Sequence, residues 1–172
     1  IASLRAPLSP PWPAPGYSWY PIGGLDGRDP GALTAAAEAV LAWADEHAAD
    51  AASIAFLGFS QGGAMSLQLL RLAPERVAFA VNLSGYAAGG ELPGDAILAE
   101  TRPPVFWGRG SADEVIPESA IAHTAEWLPE HSELIGRIYP GMGHSVSQEE
   151  LTDLHHFLTL RYAAPTTAAP AS

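Results

Sequence analysis

Three side chains able to do nucleophilic chemistry together stand in one order along this chain. Ser60 lies in Gly58-Phe59-Ser60-Gln61-Gly62, a G-x-S-x-G string. Asp113 lies in Gly110-Ser111-Ala112-Asp113-Glu114-Val115-Ile116-Pro117, and His144 in Gly141-Met142-Gly143-His144-Ser145. A serine hydroxyl is a poor nucleophile at neutral pH. It needs a base to take its proton, and an imidazole base needs a carboxylate to orient it. Each residue also has a plainer reading: a Gly-Ser turn between strand and helix, a turn or capping aspartate, a loop histidine with one backbone bond. Glu114 is a rival acid beside Asp113, and Asp95 is a reserve. The order Ser, acid, His, with each residue just past an apolar run, favours the nucleophilic reading.

The elements around these residues must bring them together. Residues 53–59 are an apolar run of strand length and 61–72 have helical spacing, so Ser60 falls on a strand–turn–helix junction. Gly58 and Gly62 lack Cβ atoms, which predicts a close approach of strand and helix there. The positive end of the helix favours an oxyanion beside Ser60. Further strands are predicted over 77–83, 105–107 and 134–139, and helices over 29–49, 117–128 and 147–162. Asp29-Pro30 opens the first helix, and Ser147 caps the last with Glu150 three residues on. Residues 1–6 read as the tail of a strand, and 84–103 as a Gly/Pro-bearing connection. The alternation implies a single α/β domain over 1–162, a parallel sheet with helices on both faces. Parallel strands end at one edge, so Ser60, Asp113 and His144 can converge there. Residues 7–28 form a long Pro/Gly/aromatic loop, of the kind that serves as a lid or binding loop. Its Trp12, Trp19 and Tyr20 either line an acyl or alcohol pocket or pack the loop onto the sheet. Met142 is a weaker member of that set. The Ala/Pro/Thr tail at 163–172 is expected to be disordered.

Composition removes other chemistries. Of 172 residues, 48% are hydrophobic and 16% charged, a globular balance. Nineteen acidic residues against eight basic ones give a net charge of -11, which disfavours nucleic acid or an anionic membrane as partner. All the basic residues are Arg. Without Lys there is no P-loop lysine, Schiff base or covalent pyridoxal phosphate, and without Cys no thiolate or sulfur-ligated metal. A dinucleotide loop is disfavoured because Ser60 stands where the middle glycine belongs. His155 and His156 point about 100° apart on a helix. His47, His123 and His131 lack ligand spacing, so no metal and no organic cofactor is expected. No apolar run reaches the roughly 18 residues of a membrane span. No basic-then-apolar leader is visible, and the expected location is the cytoplasm.

The strings at 58–63, 110–117 and 141–144 resemble the phospholipase/carboxylesterase family of α/β-hydrolases, which includes the acyl-protein thioesterases. Leu4-Arg5-Ala6-Pro7 and Trp19-Tyr20 extend the resemblance, which runs from about residue 4 to about residue 160. It implies an α/β-hydrolase-type sheet with Ser60 as nucleophile, His144 as base and acid, and Asp113 as orienting acid. It further implies that the Gln61 backbone N–H is one oxyanion donor. The implied reaction is hydrolysis of a small carboxylic ester, a lysophospholipid or a thioester through an acyl-enzyme. Members of that family begin with further strands and a His-Gly loop that supplies a second oxyanion donor. Neither precedes Ile1, so the expectation is a sheet incomplete at its N-terminal edge and a longer native protein. Losing one such donor costs about 2.7–4 kcal/mol of transition-state stabilisation. The contrasting reading is an inactive fragment or a non-catalytic ligand-binding domain, which would lack turnover.

Overall fold

The computed structural model describes residues 1–9, 15–21 and 29–162. Trp12 and the 163–172 tail lie outside the described residues. Nine elements follow in chain order: α1 (Pro30–His47), β1 (Ile54–Phe59), α2 (Gln61–Leu72), β2 (Val77–Leu83), α3 (Pro93–Thr101), β3 (Pro104–Gly110), α4 (Glu118–His131), β4 (Glu133–Tyr139) and α5 (Gln148–Tyr162). The four strands form one parallel sheet in the order β1-β2-β3-β4, with a register irregularity between Ile54 and Ala55. Parallel neighbours cannot be joined by tight turns, so a helix lies between each pair.

The pleat sorts side chains to two faces. On one face Ala80, Val105 and Trp107 pack with Leu67 and Leu70 of α2, Leu98 of α3 and Leu128 of α4. On the other, Phe79, Val81, Leu83 and Phe106 meet Leu154 and Phe157 of α5. Burying each such leucine contributes roughly 1.5–3 kcal/mol, so the sheet is held from both sides. α1 lies over α2 and buries Leu33, Ala37 and Val40 against Met65, Leu69, Tyr20 and Tyr86. The Asp29 side chain accepts the Gly31 N–H at 2.9 Å and caps that helix, with Pro30 at its first position.

Two sequence expectations need correction. Residues 1–6 form no strand; the ladder contact nearest to them is an isolated antiparallel bridge between Leu8 and Ser18. An extended segment becomes a strand only by pairing, and this one has no neighbour in the described sheet. The 84–103 connection contains α3. Its Pro93 sits at the first helical turn, where a missing N–H costs nothing, and the Asp95 carboxylate accepts the Leu92 N–H at 2.9 Å. Gly94 is required there, since a Cβ would lie 1.9 Å from the Arg71 carbonyl oxygen. Arg71 is 1% exposed, and its guanidinium binds both Asp95 oxygens (2.8 and 2.7 Å) and the carbonyls of Ala88 and Gly90. Breaking a buried pair of this kind costs about 3–5 kcal/mol.

Glu150 is another buried group able to carry charge. Its N–H donates to Ser147 Oγ at 3.1 Å, the capping half that the sequence led us to expect. Its carboxyl does not return to the cap. It is fully buried against β3, in space left by Gly108, where a Cβ would lie 2.1 Å from Oε1. Neither oxygen has a hydrogen-bond partner, and burial raises the acid's pKa from 4.5. A raised folded pKa contributes stability below the unfolded value that is lost as pH rises through the folded one. The Glu150→Gln variant is neutral throughout. We expect its stability relative to the native chain, measured by urea unfolding, to rise with pH above about 4.5. A difference independent of pH would contradict this.

Candidate functional site

Ser60 occupies the single residue between β1 and α2, with φ 56° and ψ −117°. A non-glycine residue there carries about 1–3 kcal/mol of strain, which the surroundings must hold in place. They do so through the Ser60 N–H, which donates to the Leu83 carbonyl of β2 at 2.8 Å, and its carbonyl, which accepts the Ala64 N–H at 3.0 Å. The tightness of the turn comes from Gly58, where a Cβ would fall 2.0 Å from the Gly62 backbone. Gly63 does the same against β2, where a Cβ would meet Asn82 Oδ1 at 2.4 Å. Gly62, in contrast, has nothing within 4 Å of a Cβ position. The close approach therefore rests on Gly58 and Gly63, not on Gly58 and Gly62.

Asp113 follows β3 and His144 follows β4, and the two loops are fastened to each other. The Ser111 N–H donates to Tyr139 O (3.0 Å), the Ala112 N–H to Met142 O (3.0 Å), and the Gly141 N–H to Ser111 Oγ (2.8 Å). Gly110 has no room for a side chain, since a Cβ would lie 1.9 Å from the Met142 carbonyl. Gly141 turns the second loop with φ 73°. The result is a continuous chain of polar contacts. His144 Nε2 lies 2.8 Å from Ser60 Oγ, and His144 Nδ1 lies 2.8 Å from Asp113 Oδ2. The Phe59 ring packs 4.9 Å from the imidazole.

The Asp113 side chain is 1% exposed and that of His144 17%. Burial pushes the Asp113 pKa up. The hydrogen bond from His144 and the N–H groups of Val115 (2.9 Å) and Ile116 (3.2 Å) on Oδ1 outweigh it, and the net shift is below 3.8. The carboxylate therefore stays ionised. Its contribution to stability is present above pH 3.8 and is lost as pH falls through the lower folded value. Gln61 opens α2, and the first N–H groups of a helix have no acceptor within it, so its backbone N–H is free of the helical ladder beside Ser60 Oγ.

The remaining sequence candidates fall elsewhere. Glu114 is exposed, and Asp95 belongs to the Arg71 network. Tyr20 is 2% exposed in the core, its hydroxyl 2.8 Å from that of Tyr86, which is the packing half of the expectation. Trp19 is half-buried and its N–H donates to Gln61 Oε1. Met142 acts through its backbone carbonyl. A hollow of about 310 Å³ between α1, α2 and residues 89–92 includes none of them. Sequence reasoning missed the side chain of Gln61, which binds residues 18–20. Among the described residues, no three carboxylates or imidazoles gather as a metal site would, and no helix is long and apolar enough to cross a membrane.

Residues 4–162 match the family model described as Phospholipase/Carboxylesterase. The chain belongs to the phospholipase/carboxylesterase family. A probable carboxylesterase of Oryza sativa subsp. japonica is 30% identical over 155 residues, covering 82% of this chain and 57% of that protein. Acyl-protein thioesterase 1 of Debaryomyces hansenii is 35% identical over 117 residues, covering 66% and 50%. This member of the family thus spans about half the length of the curated relatives it matches. Among solved structures, Arabidopsis thaliana SOBER1 superposes with a TM-score of 0.70 at 25% identity, over 85% of this chain and 74% of that one. A Mesorhizobium loti carboxylesterase shares the fold, with a TM-score of 0.72 at 21% identity over 90% and 73%. The α/β-hydrolase fold class expected from the sequence is the one observed.

The glycine geometry gives a direct test. Gly58→Ala places a methyl inside backbone atoms, and we expect a loss of about 3 kcal/mol or more in urea unfolding. Gly62→Ala meets open space and adds a better helix former, with an expected gain of up to roughly 1 kcal/mol. Equal destabilisation of the two would contradict the assignment of the close approach.

Proposed function

We propose that this chain hydrolyses carboxylic esters through an acyl-enzyme on Ser60. The single observation that carries the reading is the chain of 2.8 Å contacts from Ser60 Oγ through His144 to Asp113 at the C-terminal edge of the sheet. The Asp113 carboxylate favours the imidazole tautomer with its proton on Nδ1, which leaves Nε2 to accept the proton of Ser60. Ser60 Oγ attacks the ester carbonyl carbon as that proton moves to His144 Nε2. The carbonyl oxygen becomes an oxyanion, and the Gln61 N–H at the positive end of α2 stabilises it. Asp113 stabilises the imidazolium without taking its proton. The tetrahedral species collapses, the bond to the leaving oxygen breaks, and His144 protonates that oxygen. Water then gives a proton to His144 Nε2 as its oxygen bonds to the acyl carbon, and the second tetrahedral species breaks its bond to Ser60 Oγ, which takes that proton back from His144 as the acid leaves.

The family supports ester hydrolysis in general, and the names of the relatives include both carboxylesterase and acyl-protein thioesterase. We assign oxygen esters as substrates. The same residues would serve a thioester, whose thiolate leaves with less help from His144.

The test is hydrolysis of a short-chain p-nitrophenyl ester and of its thioester counterpart. We expect Ser60→Ala to lose about 10⁶-fold in kcat and Asp113→Asn about 10⁴-fold, with KM little changed. Thioester turnover alone would move the assignment to that class. Equal turnover by Ser60→Ala and the native chain would overturn the reading, and absence of turnover from the native chain would favour a non-catalytic binding role.

A further inference from the structure

Helix α2 begins without the usual supports. Its cap residue is Ser60, a residue type whose side chain ordinarily accepts an N–H of the first helical turn. Ser60 makes no such bond, because its Oγ faces His144 Nε2 instead. Gln61 is then followed by Gly62 and Gly63, which have the most permissive backbone and the weakest helix propensity short of proline. Gly63 is required, since a Cβ there would meet Asn82 Oδ1 at 2.4 Å. The packing of α2 against β2 thus leaves its first turn uncapped and rich in glycine.

The Gln61 carboxamide supplies an anchor to that turn. Its Oε1 accepts the Trp19 N–H at 2.9 Å and, at 3.2 Å, shares the Ser18 hydroxyl with the Tyr20 carbonyl. Its Nε2 donates to the same carbonyl at 3.0 Å. The stretch it holds is itself fixed. Ser18 is 3% exposed and Tyr20 2%, and the Tyr20 ring packs with Leu33, Ala37 and Met65 in the core between α1 and α2. One side chain therefore ties the first residue of α2 to the core of the domain.

We propose that the Gln61 carboxamide is a positioning group: bound to the backbone of residues 18–20, it holds the Gln61 N–H on the oxyanion, in place of the cap that Ser60 gives up to His144. The proposal rests on the reading of Ser60 as nucleophile and the Gln61 N–H as oxyanion donor. Both polar atoms of the carboxamide are engaged by residues 18–20, so the side chain acts only through its own backbone. A donor stabilises the transition state only when it is held to within about 0.5 Å of the productive geometry. An N–H on a loosened first turn samples directions away from the oxyanion. The loss then falls on the transition state and spares binding of the ester.

Gln61→Met keeps the length of the side chain and removes its hydrogen bonds. The test measures kcat and KM for p-nitrophenyl acetate, and the affinity for phenyl trifluoromethyl ketone, whose adduct on Ser60 carries an oxyanion. The chains compared are the native one, Gln61→Met, Ser18→Ala, and Gln61→Met combined with Gly62→Ala. We expect Gln61→Met to lose about tenfold in kcat, less than the roughly 10²–10³ for a donor removed outright, with KM and the pH midpoint of kcat/KM unchanged. Affinity for the ketone falls by the same factor. Gly62→Ala stiffens the turn from a position with open space around it, and should restore most of both losses. Ser18→Ala removes one hydroxyl from the tether and should show the same pattern at about threefold. It carries the test if Gln61→Met does not fold. Native kcat in a folded Gln61→Met would overturn the proposal. So would a loss of kcat with ketone affinity intact, or a loss that Gly62→Ala leaves untouched. Turnover that survives Ser60→Ala, or none from the native chain, would instead overturn the reading beneath it.

Discussion

The site depends on how closely α2 approaches the end of β1. Gly58 passes so close to the Gly62 backbone that it has no space for a single additional carbon. The chain can make that passage only by turning through one residue, and that residue is a serine held at φ 56°. A turn this tight projects Ser60 Oγ off the end of the sheet and aims the N-terminus of α2 at the space beside it. The strain is of the order of 1–3 kcal/mol, small against the burial of β1, β2 and α2 on each other. The sheet can therefore hold a conformation that an isolated turn would not keep.

The same economy governs the other two groups. Asp113 and His144 come from different strands, and each sits in a loop that alone would wander by more than a hydrogen bond tolerates. Three bonds between the loops, and a glycine at 110 that lets them touch, reduce two flexible positions to one rigid unit. Two backbone N–H groups then hold one Asp113 oxygen and leave the other to His144. The carboxylate can be almost wholly buried and still ionised because both of its oxygens are satisfied. Glu150, equally buried with neither oxygen satisfied, shifts in the opposite direction.

Much of this was legible in the sequence for physical reasons. Buried parallel strands must be continuous apolar runs, so β2 and α2 were bounded correctly, and the order of Ser60, Asp113 and His144 past three such runs fixed their common edge. What escaped was information carried by contacts distant in sequence. α3 was hidden because Pro93 and Gly94 suggest a loop until Arg71 is seen to pack against that turn. Gly62 was credited with a closeness that Gly63 provides, because spacing along the chain does not say which glycine faces the neighbouring strand. The Gln61 side chain left no signal, since its partners are backbone groups of residues 19 and 20 and the Ser18 hydroxyl. Glu150 looked like a cap because the sequence shows its distance from Ser147 but not the space above Gly108.

The proposed chemistry requires Ser60 to be the nucleophile. The most direct measurement is mass spectrometry of the intact chain and its peptides after reaction with a fluorophosphonate, which forms a stable phosphonyl bond to an activated serine. One adduct is expected, on the peptide carrying Ser60, suppressed by an excess of ester substrate and absent from Ser60→Ala. An adduct on another residue, or labelling undiminished in Ser60→Ala, would contradict that role for Ser60.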